Sequence, residues 1–220
     1  MFKTAIIIGA TGLTGGLLLE RLLEDNRYET IKLFSRSSCG IKHSKIEEHL
    51  VDMFELEKHE DVFDANDVFC CIGTTKAKTP NEEVYLKIDY GIPVAISKLC
   101  VKNNIDTLVV ISALGANKNS TVFYNRTKGR MEEDVLKANI KNIYMLQPSL
   151  ISGNRAENRF GEKIAKIFMT VLNPLLIGGF KKYRSIHAKT IVNTMIWLAN
   201  NTYESGRIPS NCIQKISDRV

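Results

Sequence analysis

The sequence predicts an α/β fold, a single doubly wound parallel sheet with helices on both faces. Short runs of apolar and β-branched residues alternate with helical patterns along the chain. These runs are continuous rather than alternating, which is typical of parallel strands that are buried on both faces. No linker, repeat or low-complexity tract divides the 220 residues, so we predict one domain over residues 1–220.

The elements follow from the same patterns. Strands are predicted at residues 5–10, 30–36, 67–73, 107–113 and 143–149, with a weaker strand at 49–52. Helices are predicted at about 12–25, 83–103, 121–139, 161–172 and 187–201. The last third, residues 150–220, is less regular, and we expect it to form the substrate side of the domain.

Composition and charge exclude several classes of protein. The net charge is +6, and the compact basic cluster KKYR at 181–184 comes without a nucleic-acid motif. The charge therefore favours a pocket for phosphorylated small molecules over nucleic acid. No run reaches the roughly 18 to 20 apolar residues that a membrane span needs. The longest apolar stretch, IFMTVLNPLLIGGF at 167–180, is either an apolar flap over the substrate or a core helix, and the second interpretation is favoured.

Five cysteines and four histidines show no spacing typical of metal ligands. Cys70 and Cys71 are adjacent in a predicted strand, so their side chains should point to opposite faces as free thiols. No signal-peptide pattern opens the sequence. A reducing, cytoplasmic location is the resulting expectation.

A glycine-rich loop follows the first strand directly. Gly9, Gly12 and Gly15 form a G-x-x-G-x-x-G pattern that opens the first helix. Glycines allow a tight turn and a close backbone approach to a pyrophosphate, whose charge is favoured at a helix N-terminus. The pattern predicts a dinucleotide site; a tight turn without a ligand is the alternative.

The end of the second strand indicates the type of dinucleotide. An acid at this position would hold the ribose hydroxyls of NAD, but the chain has Arg36 flanked by Ser35, Ser37 and Ser38. A guanidinium can bind a 2′-phosphate through two hydrogen bonds. The sequence therefore favours NADP(H) over NAD(H), and a solvated arginine is the alternative.

The next strand ends supply further candidates. The turn after CCIG brings Thr74 and Thr75 to the carboxyl end of a central strand, where hydroxyls can reach a cofactor. Asp52 follows the weak third strand and is either a neighbour of the adenine or a solvated loop acid.

Three residues suggest acid catalysis. Ser112 ends the fifth predicted strand, and Tyr124 and Lys128 lie one helical turn apart, on the same stripe as Met131 and Val135. Because this stripe should face the interior, we expect a polar group opposite Lys128, and we expect that group to be a bound cofactor. The lysine should lower the pKa of the phenol, the serine should orient a carbonyl, and Tyr124 should donate a proton.

These motifs resemble the atypical short-chain dehydrogenases/reductases, and most closely the Tat-interacting-protein branch. The resemblance is carried by GATGLTGG, CCIGTT, ISALGA, YNRTKGRMEEDV and LQPSLISGNR over residues 3 to 200. It implies a Rossmann fold, NADP(H) binding, Tyr124 as proton donor or acceptor and Lys128 on the ribose. It assigns cofactor contacts to Gly9, Thr11, Gly12, Leu13, Thr14, Arg36, Ile72, Gly73, Tyr124, Lys128, Pro148 through Leu150, and Arg155.

One position departs from the family pattern. Related chains often have two serines at the end of the fifth strand, whereas this chain has Ser112 followed by Ala113. Two further interpretations therefore stay open beside an NADP(H)-dependent reductase of a carbonyl-type small molecule. One is a non-catalytic NADP(H) sensor with a protein partner. The other is a flavin or quinone reductase on the same fold.

Overall fold

A computed structural model describes residues 2–152 and 183–220. Its strands are β1 (Lys3–Ile8), β2 (Tyr28–Ser35), β3 (Ile46–Leu50), β4 (Asp67–Cys70), β5 (Thr107–Ile111), β6 (Asn142–Gln147), β7 (Ile151–Ser152), β8 (Ile186–His187) and β9 (Gly206–Pro209). Its α-helices are α1 (Leu13–Glu24), α2 (Glu82–Leu86), α3 (Ile92–Lys102), α4 (Phe123–Leu136), α5 (Ala188–Asn200) and α6 (Ser210–Ser217). A 3-10 helix spans Leu56–Val62, and a π-helical segment spans Lys87–Gly91.

Seven of these strands form one sheet in the order β3-β2-β1-β4-β5-β6-β9, and all neighbouring pairs are parallel. Ile7 of β1 lies opposite Leu33 on one side and Phe69 on the other. The chain order reverses between β1 and β4, which makes their carboxyl ends the topological switch point. The prediction of a doubly wound α/β fold is confirmed.

Two apolar cores cover the two faces of the sheet. On one face, Ile7 and Leu33 pack among residues of α1, α5 and α6, including Leu18 and Met195. On the other face, Ile6 and Ile8 pack with residues of α3 and α4. Alternate residues of β1 therefore serve different cores, which explains why this strand is a continuous apolar run rather than an alternating one.

The predicted helix at 83–103 is three segments in the structure. The Asn81 side chain caps α2 by accepting the Val84 N–H at 3.0 Å. The π-helical segment Lys87–Gly91 follows, and α3 then begins with Pro93 in its first turn. A single π-helical turn widens the helix and changes the direction of the side chains around it. Here the widened turn carries Asp89, which is 1% exposed.

The end of the chain is more regular than the sequence indicated. After the predicted helix, found as α5, strand β9 adds a seventh member to the sheet, and α6 packs on α5. Four residues with a glycine and a proline give a weak strand pattern, which is why the sequence did not predict β9. The helix predicted at 161–172 and the apolar stretch at 167–180 lie outside the described residues. Among residues 2–152 and 183–220, no helix has the length and apolar character that crossing a bilayer requires.

Candidate functional site

A cleft of about 590 Å³ lies at the carboxyl ends of β1, β4 and β5. Its walls are the first turn of α1, the segment after β4, the end of β5 and the start of α4. We call it the carboxyl-edge cleft. Open α/β sheets bind their ligands at this kind of topological switch point.

The glycine loop forms one wall of the carboxyl-edge cleft. Gly9 has a φ of +91°, a conformation that favours glycine. A Cβ at Gly15 would lie 2.1 Å from the Gly9 carbonyl oxygen, so any side chain there would clash with the backbone. Helix α1 begins at Leu13 without a side-chain cap and without an acid in its first turn. Its first N–H groups are thus available to an anion in the cleft.

Strand β2 ends next to an arginine without a described acidic partner. Arg36 is exposed, and no carboxylate of the described residues forms an ion pair with it. The nearby Glu48 carboxylate instead accepts the Ser38 hydroxyl and the Cys39 N–H, both at 2.6 Å. These hydrogen bonds hold the pKa of Glu48 below its usual value. The Ser38 hydroxyl is therefore engaged, whereas the Arg36 guanidinium is available.

A buried ion pair lies beside the cleft. Lys128 Nζ is 2.8 Å from Asp89 Oδ1, and both side chains are at most 4% exposed. The other carboxylate oxygen of Asp89 accepts the Thr74 N–H at 2.8 Å. Burial alone would lower the pKa of Lys128, but the negative charge of Asp89 raises it overall, so the ammonium stays charged. The polar group opposite Lys128 in the structure is Asp89, whereas we expected a bound cofactor at this position.

Tyr124 lines the same cleft from the first turn of α4. The residue is 38% exposed, and its hydroxyl forms no hydrogen bond with another described residue. Burial of the hydroxyl raises the pKa of Tyr124; Lys128 opposes this shift, and Asp89 adds to it. Lys128 therefore acts on this pKa in the expected direction, but burial outweighs it and Asp89 adds to the rise, so the pKa of Tyr124 lies above its usual value.

Ser112 lies in the cleft, but its proton is directed away from it. The hydroxyl donates to Glu132, a carboxylate with no exposed surface. Glu132 also accepts two hydrogen bonds from Gln147 Nε2 and one from Arg207 Nε at 2.6 Å. The position after Ser112 is Ala113, which is buried and has no hydroxyl. The Ser112 hydroxyl can accept a hydrogen bond from a ligand while it donates its own proton in the hydrogen bond to Glu132.

The structure brings together most of the residues that the sequence predicted. Those that line the cleft are Thr11, Gly12, Leu13, Thr14, Ile72, Gly73, Thr74, Ser112, Tyr124 and Lys128. Gly9 and Gly15 belong to the glycine loop but are not in the lining. Those that are not in the lining are Arg36, Ser37, Asp52, Pro148 and Leu150. Arg155 lies outside the described residues.

Three of the residues outside the lining have structural contacts. Asp52 accepts the Phe54 N–H at 2.9 Å, and the Ser37 carbonyl accepts the Ser35 hydroxyl at 2.7 Å. The Pro148 carbonyl accepts the Leu114 N–H at 2.9 Å. The assignment of all these residues to a cofactor stays a prediction.

The sequence missed some of the lining. Thr75, which the sequence placed at the end of a central strand, lines the cleft beside Thr74, whereas no motif indicated the further lining residues Cys71, Lys78, Asp89, Ile111 and Ile151. Asp89 had no signal in the sequence, because an aspartate in a helical pattern reads as a solvated surface residue. The burial of Asp89 depends on the π-helical turn, which no sequence motif predicts.

All five cysteines are free in the structure. Cys70 belongs to the core under α3 and α4, and Cys71 packs against the core under α1, as expected for neighbours in a strand. Burial raises the pKa of Cys70 to about 11 and that of Cys71 well above its usual value. Both are therefore protonated, unreactive thiols at neutral pH.

The residues of the cleft fit a dinucleotide. The glycine loop excludes side chains, the first turn of α1 offers N–H groups, and Gly73 leaves the Lys128–Asp89 pair close to the cleft surface. A Cβ at Gly73 would lie 3.6 Å from Asp89 Oδ1 and 3.8 Å from Lys128 Nζ. The donors and the buried ammonium of Lys128 are suited to an anionic ligand with sugar hydroxyls.

Solved structures share this fold at low sequence identity. The enzyme WbmG from Bordetella bronchiseptica, in complex with NAD, superimposes with a TM-score of 0.72 at 11% identity, over 99% of this chain and 77% of that one. UDP-glucose 4-epimerase from Thermotoga maritima, with UDP-glucose, gives a TM-score of 0.69 at 15% identity, over 98% and 82%. At these identities the likeness concerns the fold alone, which is a Rossmann-like α/β fold.

Sequence relatives confirm the resemblance that the motifs indicated. The protein HTATIP2 of Rattus norvegicus is 26% identical over 208 residues, which cover 93% of this chain and 83% of the relative. The protein FMP52 of Debaryomyces hansenii is 32% identical over 161 residues, which cover 71% and 70%.

The names of the yeast relatives correct one expectation. The FMP52 proteins of Debaryomyces hansenii and Candida albicans are named as mitochondrial. The expectation of a cytoplasmic location is therefore wrong. It rested on unpaired cysteines and on the start of the sequence, and neither distinguishes one reducing compartment from another.

A family model agrees with these relatives. The HIM1 model matches residues 30–184, well over half of the chain. The match runs from β2 through the whole of α4 and β6, and so includes Asp89, Tyr124 and Lys128. On this match, the chain belongs to the HIM1 family.

Proposed function

We propose that this protein is an NADP(H)-dependent reductase of a carbonyl-type small molecule, with Tyr124 as the proton donor. One observation carries the proposal. A tyrosine hydroxyl without a described hydrogen-bond partner and a buried lysine line the same cleft as an uncapped glycine-rich helix start. A dinucleotide that lies along this cleft would pass from the glycine loop toward Tyr124.

Different residues of the cleft would bind the cofactor and donate the proton. Leu13 and Thr14 would bind the pyrophosphate through backbone N–H groups, and Lys128 would bind the nicotinamide ribose. Gly12, whose own N–H donates to the Gly9 carbonyl at 3.0 Å, would let the pyrophosphate approach the backbone. A bound reduced nicotinamide supplies a hydride. Tyr124 donates the proton of its neutral phenol to the substrate oxygen as negative charge develops there. The positive charge of Lys128 then stabilises the phenolate until water in the open cleft restores the proton.

The preference for NADP(H) rests on Arg36. Its guanidinium follows the strand that is adjacent to the glycine loop, and it has no acidic partner among the described residues. A 2′-phosphate would provide that partner. Glu48, an acid on the neighbouring strand β3, is already held by Ser38 and Cys39.

The test is a screen of aldehydes, ketones and quinones for oxidation of NADPH, followed by variants on any substrate found. Tyr124→Phe removes the proton donor but not a described contact, so turnover should fall ~100-fold or more while NADPH affinity stays nearly unchanged. Tyr203→Phe is the matched control, because this tyrosine packs on Trp197 at the far end of the domain. Full activity in Tyr124→Phe would show that the phenol is not the donor.

A second candidate is supported by Ser112. Its hydroxyl donates to Glu132, and Ala113 offers no replacement, so the cleft has no described serine proton that points at a substrate. A non-catalytic NADP(H) sensor would have these features. Tight NADPH binding together with a broad screen that finds no turnover would favour the sensor, and Tyr124→Phe would then have no effect.

A further inference from the structure

Asp89 is a carboxylate that no motif assigned, and it lies at the centre of the candidate site. It is 1% exposed and is carried by the π-helical segment Lys87–Gly91. One oxygen lies 2.8 Å from Lys128 Nζ, and the other accepts the Thr74 N–H at 2.8 Å. The carboxylate therefore connects α4 with the loop after β4.

The surroundings of Asp89 determine the position of the Lys128 ammonium. The pair lies directly beneath Gly73, at ordinary van der Waals distance from a Cβ there. Lys128 is itself 3% exposed, so its ammonium has little access to water. A buried ammonium needs a charged partner in place, and Asp89 provides that partner before any ligand arrives.

Among the described residues, titratable groups from several elements lie near this pair. Tyr124 comes from α4, Tyr85 from α2 and Cys70 from β4, and Lys78 lines the cleft. Tyr85 and Cys70 are protonated at neutral pH, because burial raises the pKa of each. Lys128 and Asp89 are then the charges that act most directly on the Tyr124 phenol.

A lysine without a counter-charge would favour the phenolate of a nearby tyrosine. Here burial raises the pKa of Tyr124, Lys128 lowers it, and Asp89 raises it again. The carboxylate thus removes part of the effect that the lysine would have on the phenol. The geometry agrees with this, because the ammonium lies 2.8 Å from the Asp89 carboxylate and Tyr124 lines the same cleft as the pair.

We propose that Asp89 is a positioning residue that fixes Lys128 and offsets its charge, so that Tyr124 enters the reaction as a neutral phenol that gives up a proton. The inference rests on the proposed function. In the step, the phenol O–H bond breaks, an O–H bond forms on the substrate, and the substrate carbon gains the hydride that NADPH supplies. The site is then arranged for reduction rather than for oxidation of an alcohol, which would need a phenolate base.

The test follows the ionisation of Tyr124 without any substrate. The protein is labelled with 13Cζ-tyrosine, and the signal of Tyr124 is assigned by its absence in Tyr124→Phe. Asp89→Asn keeps the shape of the side chain but removes its charge, so the Tyr124 signal should titrate at lower pH than in the wild type. Asp89→Glu keeps the charge and should stay near the wild type.

Asp134→Asn is the matched control. Asp134 also pairs with a lysine, Lys137 at 3.0 Å, and accepts a tyrosine hydroxyl, that of Tyr90. Unlike Asp89, its side chain is 37% exposed and does not line the carboxyl-edge cleft. Its substitution should leave the titration of Tyr124 unchanged. A titration of Asp89→Asn at or above the pH of the wild type, in a folded protein, would overturn the proposal.

A double variant covers the case in which Asp89→Asn does not fold. Asp89→Asn with Lys128→Met removes both charges together and leaves no buried charge unpaired. Tyr124 should then titrate at lower pH than in Lys128→Met alone, because the carboxylate that raises its pKa is gone. Equal titrations of these two variants would mean that Asp89 does not act on the phenol. Because no step of this test uses a substrate, its failure is distinct from a failure to find reductase activity. If activity is found, the alkaline limb of its pH profile should move to lower pH in Asp89→Asn.

Discussion

The two ends of the sheet carry the same three residue types in different states. At the carboxyl ends of the strands, Lys128 and Asp89 pair beside Tyr124. At the amino ends, Lys3 and Asp67 pair at 2.8 Å beside Tyr28. We call these the carboxyl-edge cluster and the amino-edge cluster.

The difference between the clusters lies in their hydrogen bonds and access. The Tyr28 hydroxyl donates to Asp67 at 2.8 Å and accepts from Asn200 at 3.0 Å, and the residue has no exposed surface. Lys3 also donates to the Ala199 carbonyl at 2.7 Å. Tyr124 has no described hydrogen-bond partner and faces a cleft. In the amino-edge cluster, the lysine, the aspartate and the tyrosine all have hydrogen-bond partners, and the cluster is structural. In the carboxyl-edge cluster, the tyrosine hydroxyl is left for a ligand, and the cluster is a candidate site.

The largest expected effect is a difference in the free energy of unfolding between variants of Lys128 and Lys3. Lys128→Met leaves Asp89 buried without its counter-charge and should lower the free energy of unfolding by about 3–5 kcal/mol. Lys3→Met should cost about 1–2 kcal/mol, because the Lys3 side chain is 27% exposed and Asp67 keeps the hydrogen bond from Tyr28. Urea unfolding of both variants measures the difference. Equal losses would contradict the view that the carboxyl-edge cluster depends more on its ion pair.

The second prediction compares the two arginines that flank β2. Arg27 at the amino end binds Asp25 through two side-chain nitrogens, at 2.9 and 2.6 Å, whereas Arg36 at the carboxyl end has no described acidic partner. A charge-assisted hydrogen bond contributes roughly 1.5–3 kcal/mol, so Arg36→Ala should weaken NADPH binding about tenfold to a hundredfold. NADH binding should barely change, and Arg27→Ala should affect neither cofactor. Fluorescence titrations of both cofactors decide this, and equal affinities of the wild type for NADPH and NADH would refute the proposed preference.

The comparison also shows what the sequence can predict. The order of strands and helices, the glycine loop and the Tyr124–Lys128 pair follow from local patterns, because periodicity and turn chemistry act over a few residues. Strand β9 escaped prediction because a four-residue edge strand with a proline has almost no local pattern.

The partners of the functional groups were less accessible to sequence reasoning. Asp89 reaches Lys128 across 39 positions of the chain, and Glu132 reaches Ser112 across 20. Such contacts depend on how α4 packs on the sheet and on the π-helical turn, and both are tertiary features. Single residues could therefore be assigned to the site, but their charge state and hydrogen-bond direction could not.

The smallest expected effect concerns the two tyrosines. Tyr28→Phe removes a hydroxyl that Asp67 and Asn200 both use, but Asp67 keeps Lys3, so the loss in free energy of unfolding should be about 1 kcal/mol. Tyr124→Phe should leave the unfolding free energy unchanged within error, because no described residue bonds to its hydroxyl. Urea unfolding measured in parallel at pH 7 compares them. A larger loss for Tyr124→Phe than for Tyr28→Phe would mean that the phenol at the carboxyl edge is a structural group. The distinction between a structural amino-edge cluster and a functional carboxyl-edge cluster would then fail.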